Sequence, residues 1–334
     1  SWQTALAAVF FSGCLFLLLS IFKIREWIIN SIPFALKMGI AAGIGMFLAL
    51  IALKTANIIV SSPATLVTLG DLHTPQVVLA LVGFFIIFAL AHRGWHASVL
   101  ISILVVTFAG WLLGDSHFTG IVAMPPSLAP TFMQLDFASA LSLSMLPVIL
   151  SLLFLDLFDT SGTLVAVTHK AGLMKPDGTV PELSKALVAD STATIAGAVL
   201  GTSTTTSYVE STSGVAAGGR TGLMAVVTAL LFLAALWFSP LAAMVPAYAT
   251  AGALLYVATL MLSSLQHVEW DDVIQAVPVS VVLIMMPLTF SISDGIGMGF
   301  ISYSLLCLLT GKLSRTTFSV WLLTAVFIAK FIWG

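Results

Sequence analysis

The stretch SLLFLDLFDTSGTLVAVTHK, residues 151–170, decides how this chain is read. It has the length and apolar content of a long helix, yet Asp156 and Asp159 sit deep within it. Their i, i+3 spacing puts both acids on one helix face, and Thr160 and Thr163 extend that face. The apolar run begins ahead of it, near residue 140. What the stripe means therefore depends on the solvent that the rest of the chain meets.

Composition identifies that solvent. The 334 residues are 59% hydrophobic and 8% charged, with 12 Lys+Arg against 14 Asp+Glu. An ordinary soluble domain is about 45–50% apolar and about 25% charged. A soluble enzyme, a nucleic-acid binder and a disordered regulator are excluded together, and most of the surface must face lipid. The net charge of −2 supplies no basic field for nucleic acid. Cys14 and Cys307 lie in apolar runs, with neither a disulfide framework nor a metal-ligand spacing. The opening SWQTALAAVFFSGCLFLLLS lacks a basic n-region and a small-residue cleavage site, and reads as a spanning helix.

Apolar stretches long enough to cross a bilayer lie near 3–22, 36–53, 76–91, 97–113, 140–163, 186–200, 221–239, 247–265, 276–291, 295–311 and 317–333. A short, Gly-rich twelfth lies near 208–219. If Lys23 is cytoplasmic, alternate crossings also place Arg25, Lys37, Arg93, Lys170, Lys175, Lys185, Arg220, Lys312 and Arg315 inside. Ten of the twelve basic residues then share one side, which supports both the spans and the orientation. Lys54 falls outside, and Lys330 depends on whether 317–333 spans or lies flat.

The chain also resembles itself. Gln3-Thr4-Ala5-Leu6 resembles Arg220-Thr221-Gly222-Leu223, each ahead of an apolar helix. Pro33 and Pro246 follow, each with a glycine six residues on, Gly39 and Gly252. Gly94 and Gly110 match Gly295 and Gly311. An odd number of spans separates the two sets, so the copies are inverted, as in secondary transporters. The second copy is preceded by three membrane segments in 138–219, and nothing matches them before Gln3. An N-terminal block of about three helices is therefore expected to be missing from this chain.

A carboxylate at membrane depth is costly and marks function. Asp156 and Asp159 must look into the protein, and two such acids in low dielectric rarely both ionise, which suits proton coupling. The structural alternative is a pair bonding hydroxyls and backbone of a broken helix opposite. Glu210 is the third acid, in GTSTTTSYVESTSGVAAGGRTG (201–222), where nine of the twelve residues 202–213 are Ser or Thr. The β-branched, hydroxylated run Thr202–Ser207 disfavours helix. It reads as a short strand leading into a half-helix that starts near Glu210. Irregular backbone at that depth lines a cavity, and a half-helix N-terminus offers unpaired N–H groups. Together they suit the edge of a planar, hydrogen-bonding ligand, with Glu210 accepting from its N–H groups. The alternative is a solvated external loop. His169, Lys170 and the acidic HVEWDD (267–272) read as surface features, Arg220 as an anchor of the half-helix, and Asp294 as structural. Asp190 and Thr192 read as bonding neighbouring backbone. No P-loop, zinc motif, GxSxG or Ser/His/Asp arrangement is present in the sequence, which points away from an enzyme.

With LDLFDTSGTLVAVTHKAGL (155–173) and GTSTTTSYVESTSGVAAGGRTGL (201–223) quoted, the chain resembles the AzgA-like purine nucleobase permeases of the nucleobase–cation symporter 2 superfamily. PAYATAGALLYV (246–257) and MMPLTFSISDGIGMGFISY (285–303) are similar too. The resemblance implies an all-α polytopic membrane protein of the cell (inner or plasma) membrane. It implies an inverted repeat of seven plus seven helices, with a core domain, a gate domain and short central strands. On that plan residues 1–22 are the fourth, core-domain helix and 33–114 the first gate helices. Residues 138–240 are core helices including the strand and half-helix 202–219, 246–313 the second gate helices, and 317–334 an addition. It implies a purine importer, hypoxanthine or guanine before adenine, coupled to protons, with no cofactor. Glu210, Asp156, Val209, Ser207 and Thr206 would bind the base, and Asp156 or Asp159 would carry the proton. A gate-domain homodimer is the family-level expectation. Two other readings are an anion transporter or channel of the same fold, which the acids disfavour, and a truncated membrane protein that does not transport.

Overall fold

The computed structural model describes residues 1–334 except 96, 116–119, 176–178, 209 and 334. The first helices are α1 (Trp2–Ile21), α2 (Ile24–Ser31) and α3 (Phe34–Thr55). A hairpin of β1 (Ile59–Ser62) and β2 (Leu66–Leu69) follows, antiparallel with Ile59 opposite Leu69. Then come α4 (Pro75–His92), α5 (Ser98–Leu112), the single turn α6 (Phe137–Ala140), α7 (Leu146–Lys170), α8 (Leu183–Leu200) and the short α9 (Ser211–Ala216). The last are α10 (Gly222–Ala235), α11 (Ser239–Met244), α12 (Ala247–Leu262), α13 (Val273–Thr289), α14 (Ile292–Leu309) and α15 (Phe318–Trp333).

Seven of the described helices are long and apolar enough to cross a membrane, counting Gly222–Met244 as one. The apolar stretches of the sequence coincide with helices, and prolines move two of the ends. The stretch expected from 140 becomes α7 only at Leu146, because Pro147 fits the first turn of a helix but not its interior. The stretch 221–239 is interrupted by a 3-10 turn, Leu236–Phe238, just ahead of Pro240. Helix α2 and the β1–β2 hairpin were not expected from apolar length, since both are short and lie between spans.

The chain forms two compact units. The first holds Ser1–Ile44, Ser127–Thr212 and Leu262–Gly334. Its core gathers Ile29, Met38, Val165, Leu183, Leu187 and Val279. Small residues bring its helices close. A Cβ on Gly13 of α1 would lie 2.9 Å from Ile195 Cγ1 of α8. A Cβ on Gly39 of α3 would lie 2.9 Å from Val279 Cγ2 of α13. Helices α13 and α14 form a tight pair that turns at Phe290, whose φ of +55° is left-handed.

The second unit holds Gly45–Pro126 and Ser213–Met261. Ala52, Val77, Ala80, Val106, Tyr248 and Ala251 form its core. Ser102 Oγ donates to the Gly83 carbonyl at 2.7 Å, joining α5 to α4. A Cβ on Gly252 of α12 would lie 2.9 Å from the Phe84 backbone nitrogen of α4. Asp115 accepts from Gln76 Nε2 at 3.0 Å and from Tyr248 Oη at 3.2 Å, so one carboxylate ties the ends of three helices.

Candidate functional site

Helix α7 presents the expected stripe. Asp156 is 2% exposed, Thr160 and Thr163 are buried, and Asp159 is half-buried. Thr160 is the hub. Its Oγ1 lies 3.4 Å from Asp156 Oδ1, 3.1 Å from both oxygens of Asp190, and 2.8 Å from Thr206 Oγ1. A hydroxyl has one hydrogen and two lone pairs. Thr160 can therefore donate to a carboxylate while accepting from Thr206. Asp159 lies within electrostatic range of both Asp190 and Glu210.

Asp190, on α8, joins this group: it is buried and accepts a hydroxyl from α7, a link that the expected bonding to neighbouring backbone did not include. Its signal was present: with α8 starting at Leu183, Asp190 lies two turns inside an apolar helix. Thr192 does bond its own helix, through the Val188 carbonyl at 3.0 Å.

The run 202–208 leaves the helix, as expected, but has no regular secondary structure: it bends at Ser203 and carries no ladder among the described residues. The expected central strand is therefore not formed among the described residues. A side chain takes the place of a ladder bond: Thr194 Oγ1 donates to the Thr205 carbonyl at 2.9 Å. The half-helix is α9, which begins just after Glu210 and ends before the turn at Gly218, where φ is +108°. Arg220 closes it as expected, donating through Nη1 to the carbonyls of Val215 at 2.5 Å and Gly219 at 2.9 Å.

The structure thus brings Asp156, Asp159 and Thr206 together around Thr160, with Glu210 exposed at the edge of the group. Ser207 Oγ is buried and has no hydrogen-bond partner among the described residues, nor has Thr163 Oγ1. Val209 lies outside the described residues. Among the described residues, no group of three or more His, Cys, Asp or Glu is placed to hold a metal ion. Chemically, the site offers carboxylates for N–H donors and hydroxyls that can donate or accept.

Residues 1–298 match the model of the Permease family, Xan_ur_permease. The chain belongs to this family. The permease is 47% identical over 332 residues to the adenine permease AdeQ of Escherichia coli (strain K12), covering 99% of this chain and 75% of that one. It is 46% identical over 335 residues to the guanine/hypoxanthine permease PbuG of Bacillus subtilis (strain 168), covering 99% and 76%. Its fold is similar to that of the transmembrane domain of the cyanobacterium bicarbonate transporter BicA. The TM-score is 0.62 at 18% identity, over 88% of this chain and 76% of that one. The permease is therefore a polytopic, multi-pass membrane protein that transports, and not an enzyme.

Proposed function

We propose that this permease imports purine nucleobases together with protons. The observation that carries the reading is the acid cluster around Thr160 beside the irregular, hydroxyl-rich segment 202–208. A purine is a flat ring whose edges alternate N–H donors with nitrogen and oxygen acceptors. Carboxylates and serine or threonine hydroxyls match that pattern. The adenine and guanine/hypoxanthine permeases among the relatives support the substrate class. The acids disfavour an inorganic anion as cargo, since anion sites are built from cations or bare helix N-termini.

Glu210, Asp156, Ser207, Thr206 and Val209 would form the purine contacts. A carboxylate of Glu210 accepts from the N1–H of hypoxanthine or guanine, whereas adenine presents an acceptor at N1. That chemistry favours the oxopurines. Asp156 or Asp159 would carry the coupled proton, because uptake of a proton relieves repulsion within the acid group. Alternating access would follow from a core domain moving against a gate domain.

The test is uptake of labelled hypoxanthine by a host deficient in purine uptake. A hydrogen bond to a charged group contributes about 1.5–3 kcal/mol, so Glu210→Gln and Asp156→Asn should each reduce uptake about tenfold or more. Excess guanine should compete more strongly than adenine, and sulfate not at all. Undiminished uptake in both variants, at normal levels in the membrane, would sink the assignment.

A further inference from the structure

Asp190, Thr194 and Gly197 recur at intervals of four and three, so they line one face of α8, and Gly201 caps its end. The irregular segment 202–207 packs back on that face. A Cβ on Gly197 would collide with Thr205 Oγ1 and lie 3.0 Å from Thr202 Cγ2. The Thr205 carbonyl is held by Thr194, and Thr206 reaches Asp190 through Thr160. At the far end, a Cβ on Gly201 would collide with Thr131 Cβ, and Thr131 Oγ1 donates to the Leu200 carbonyl at 3.1 Å.

Thr194 itself is fixed from its other side. It is 0% exposed, and its Cγ2 lies 3.2 Å from where a Cβ on Gly13 of α1 would stand. A β-branched side chain is restricted at χ1 in a helix. With its methyl against α1, the hydroxyl is aimed at Thr205. A segment with neither helix nor ladder has no regular hydrogen bonding to set its position. Here α8 sets it.

We propose that Thr194 and Gly197 are positioning residues that set the register of residues 202–207, and through it the fit of the transported base. The transport half of this inference rests on the purine reading. Two effects follow. Thr194→Val removes the bond to the Thr205 carbonyl while keeping the shape. Gly197→Ala drives a methyl into the Thr205 side chain.

The experiment uses the protein in membranes, with two readouts. The first is KM and Vmax for labelled hypoxanthine in Thr194→Val, Thr194→Ser and Gly197→Ala, with Thr192→Val as the exposed control. The second, independent of any substrate, is the rate at which a Thr205→Cys variant reacts with a maleimide, alone and combined with each substitution. Loss of one hydrogen bond should raise KM up to about tenfold in Thr194→Val with Vmax little changed. Gly197→Ala should do the same. Thr194→Ser, which keeps the hydroxyl but loses the methyl that aims it, should fall between Thr194→Val and the parent, and Thr192→Val should stay near the parent. Labelling at position 205 should quicken several-fold in Thr194→Val and Gly197→Ala. Unchanged labelling in both variants would overturn the inference, as would a fall in Vmax at constant KM that tracks protein level. If the parent protein carries no purine, the proposed function fails and the labelling rates still decide this point.

Discussion

At the scale of single residues, Thr160 carries the most. It lies where Asp156, Asp190 and Thr206 meet. Thr160→Val keeps the shape but removes the hydroxyl from a buried acid group. Leaving a buried polar group without its partner costs about 1–3 kcal/mol. The variant should melt at a lower temperature and lose purine uptake, and Thr160→Ser should restore both. Equal melting temperatures for Thr160→Val and the wild-type protein would argue against the hub. Asp156 and Asp159 were legible because a carboxylate inside an apolar helix has few explanations. Asp190 was not, because the apolar stretch was read from 186 and the helix starts at Leu183. Three residues moved Asp190 from the edge of a helix to its buried interior. The link from Thr194 to Thr205 was illegible, since no period or propensity predicts a side chain replacing a ladder bond.

At the scale of elements, apolar length predicted the spans well, and local chemistry set their ends. The segment 317–333 had been open between spanning and lying flat. It is the helix α15, running antiparallel along α14: Thr324 pairs with Ser304 at 2.7 Å and Phe327 stacks on Phe300. Lys330 Nζ then reaches Asp294 Oδ1 at 2.6 Å and Ser293 Oγ at 2.9 Å. The partner of Asp294 thus lies 36 residues on. A double-mutant cycle with Lys330→Ala and Asp294→Asn should show a coupling of about 1 kcal/mol in thermal stability. Additive effects would mean that the pair does not hold α15. A second clasp lies in the turns at the other end of α14. Asp272 caps α13, accepting from the Ile274 nitrogen at 3.2 Å, and pairs with Arg315. The Arg315 guanidinium holds the Asp272 carboxyl below its usual range. Its contribution is thus complete above the unfolded value of about 3.9 and is lost as pH falls through the folded value. The melting difference between wild type and Asp272→Asn should be constant above about pH 5 and shrink below about pH 4. A difference that does not shrink as the pH is lowered below about 4 would assign the stabilisation to something other than this carboxylate.

At the scale of the whole molecule, the repeat was legible as an ordered series of prolines and glycines, and the structure gives those glycines matching work. Gly39 lets α3 approach α13 closely, and Gly252 lets α12 approach α4. α4 and α13 are themselves counterparts in the repeat, as the offset between Gly94 and Gly295 requires. Identical side chains were not needed for this; the shared requirement was room between helices. The acids follow no such symmetry, since Asp156, Asp159, Asp190 and Glu210 all fall between the two repeated sets. Fold is thus written in a periodic pattern of small residues, and the site in a few costly exceptions to an apolar composition. The central claim is that these exceptions bind a purine and couple it to protons. The most direct measurement is labelled hypoxanthine uptake into proteoliposomes holding the purified protein under an imposed pH gradient. The account predicts accumulation that a protonophore collapses and that Asp156→Asn and Glu210→Gln largely abolish. Uptake indifferent to the gradient and undiminished in both variants would contradict it.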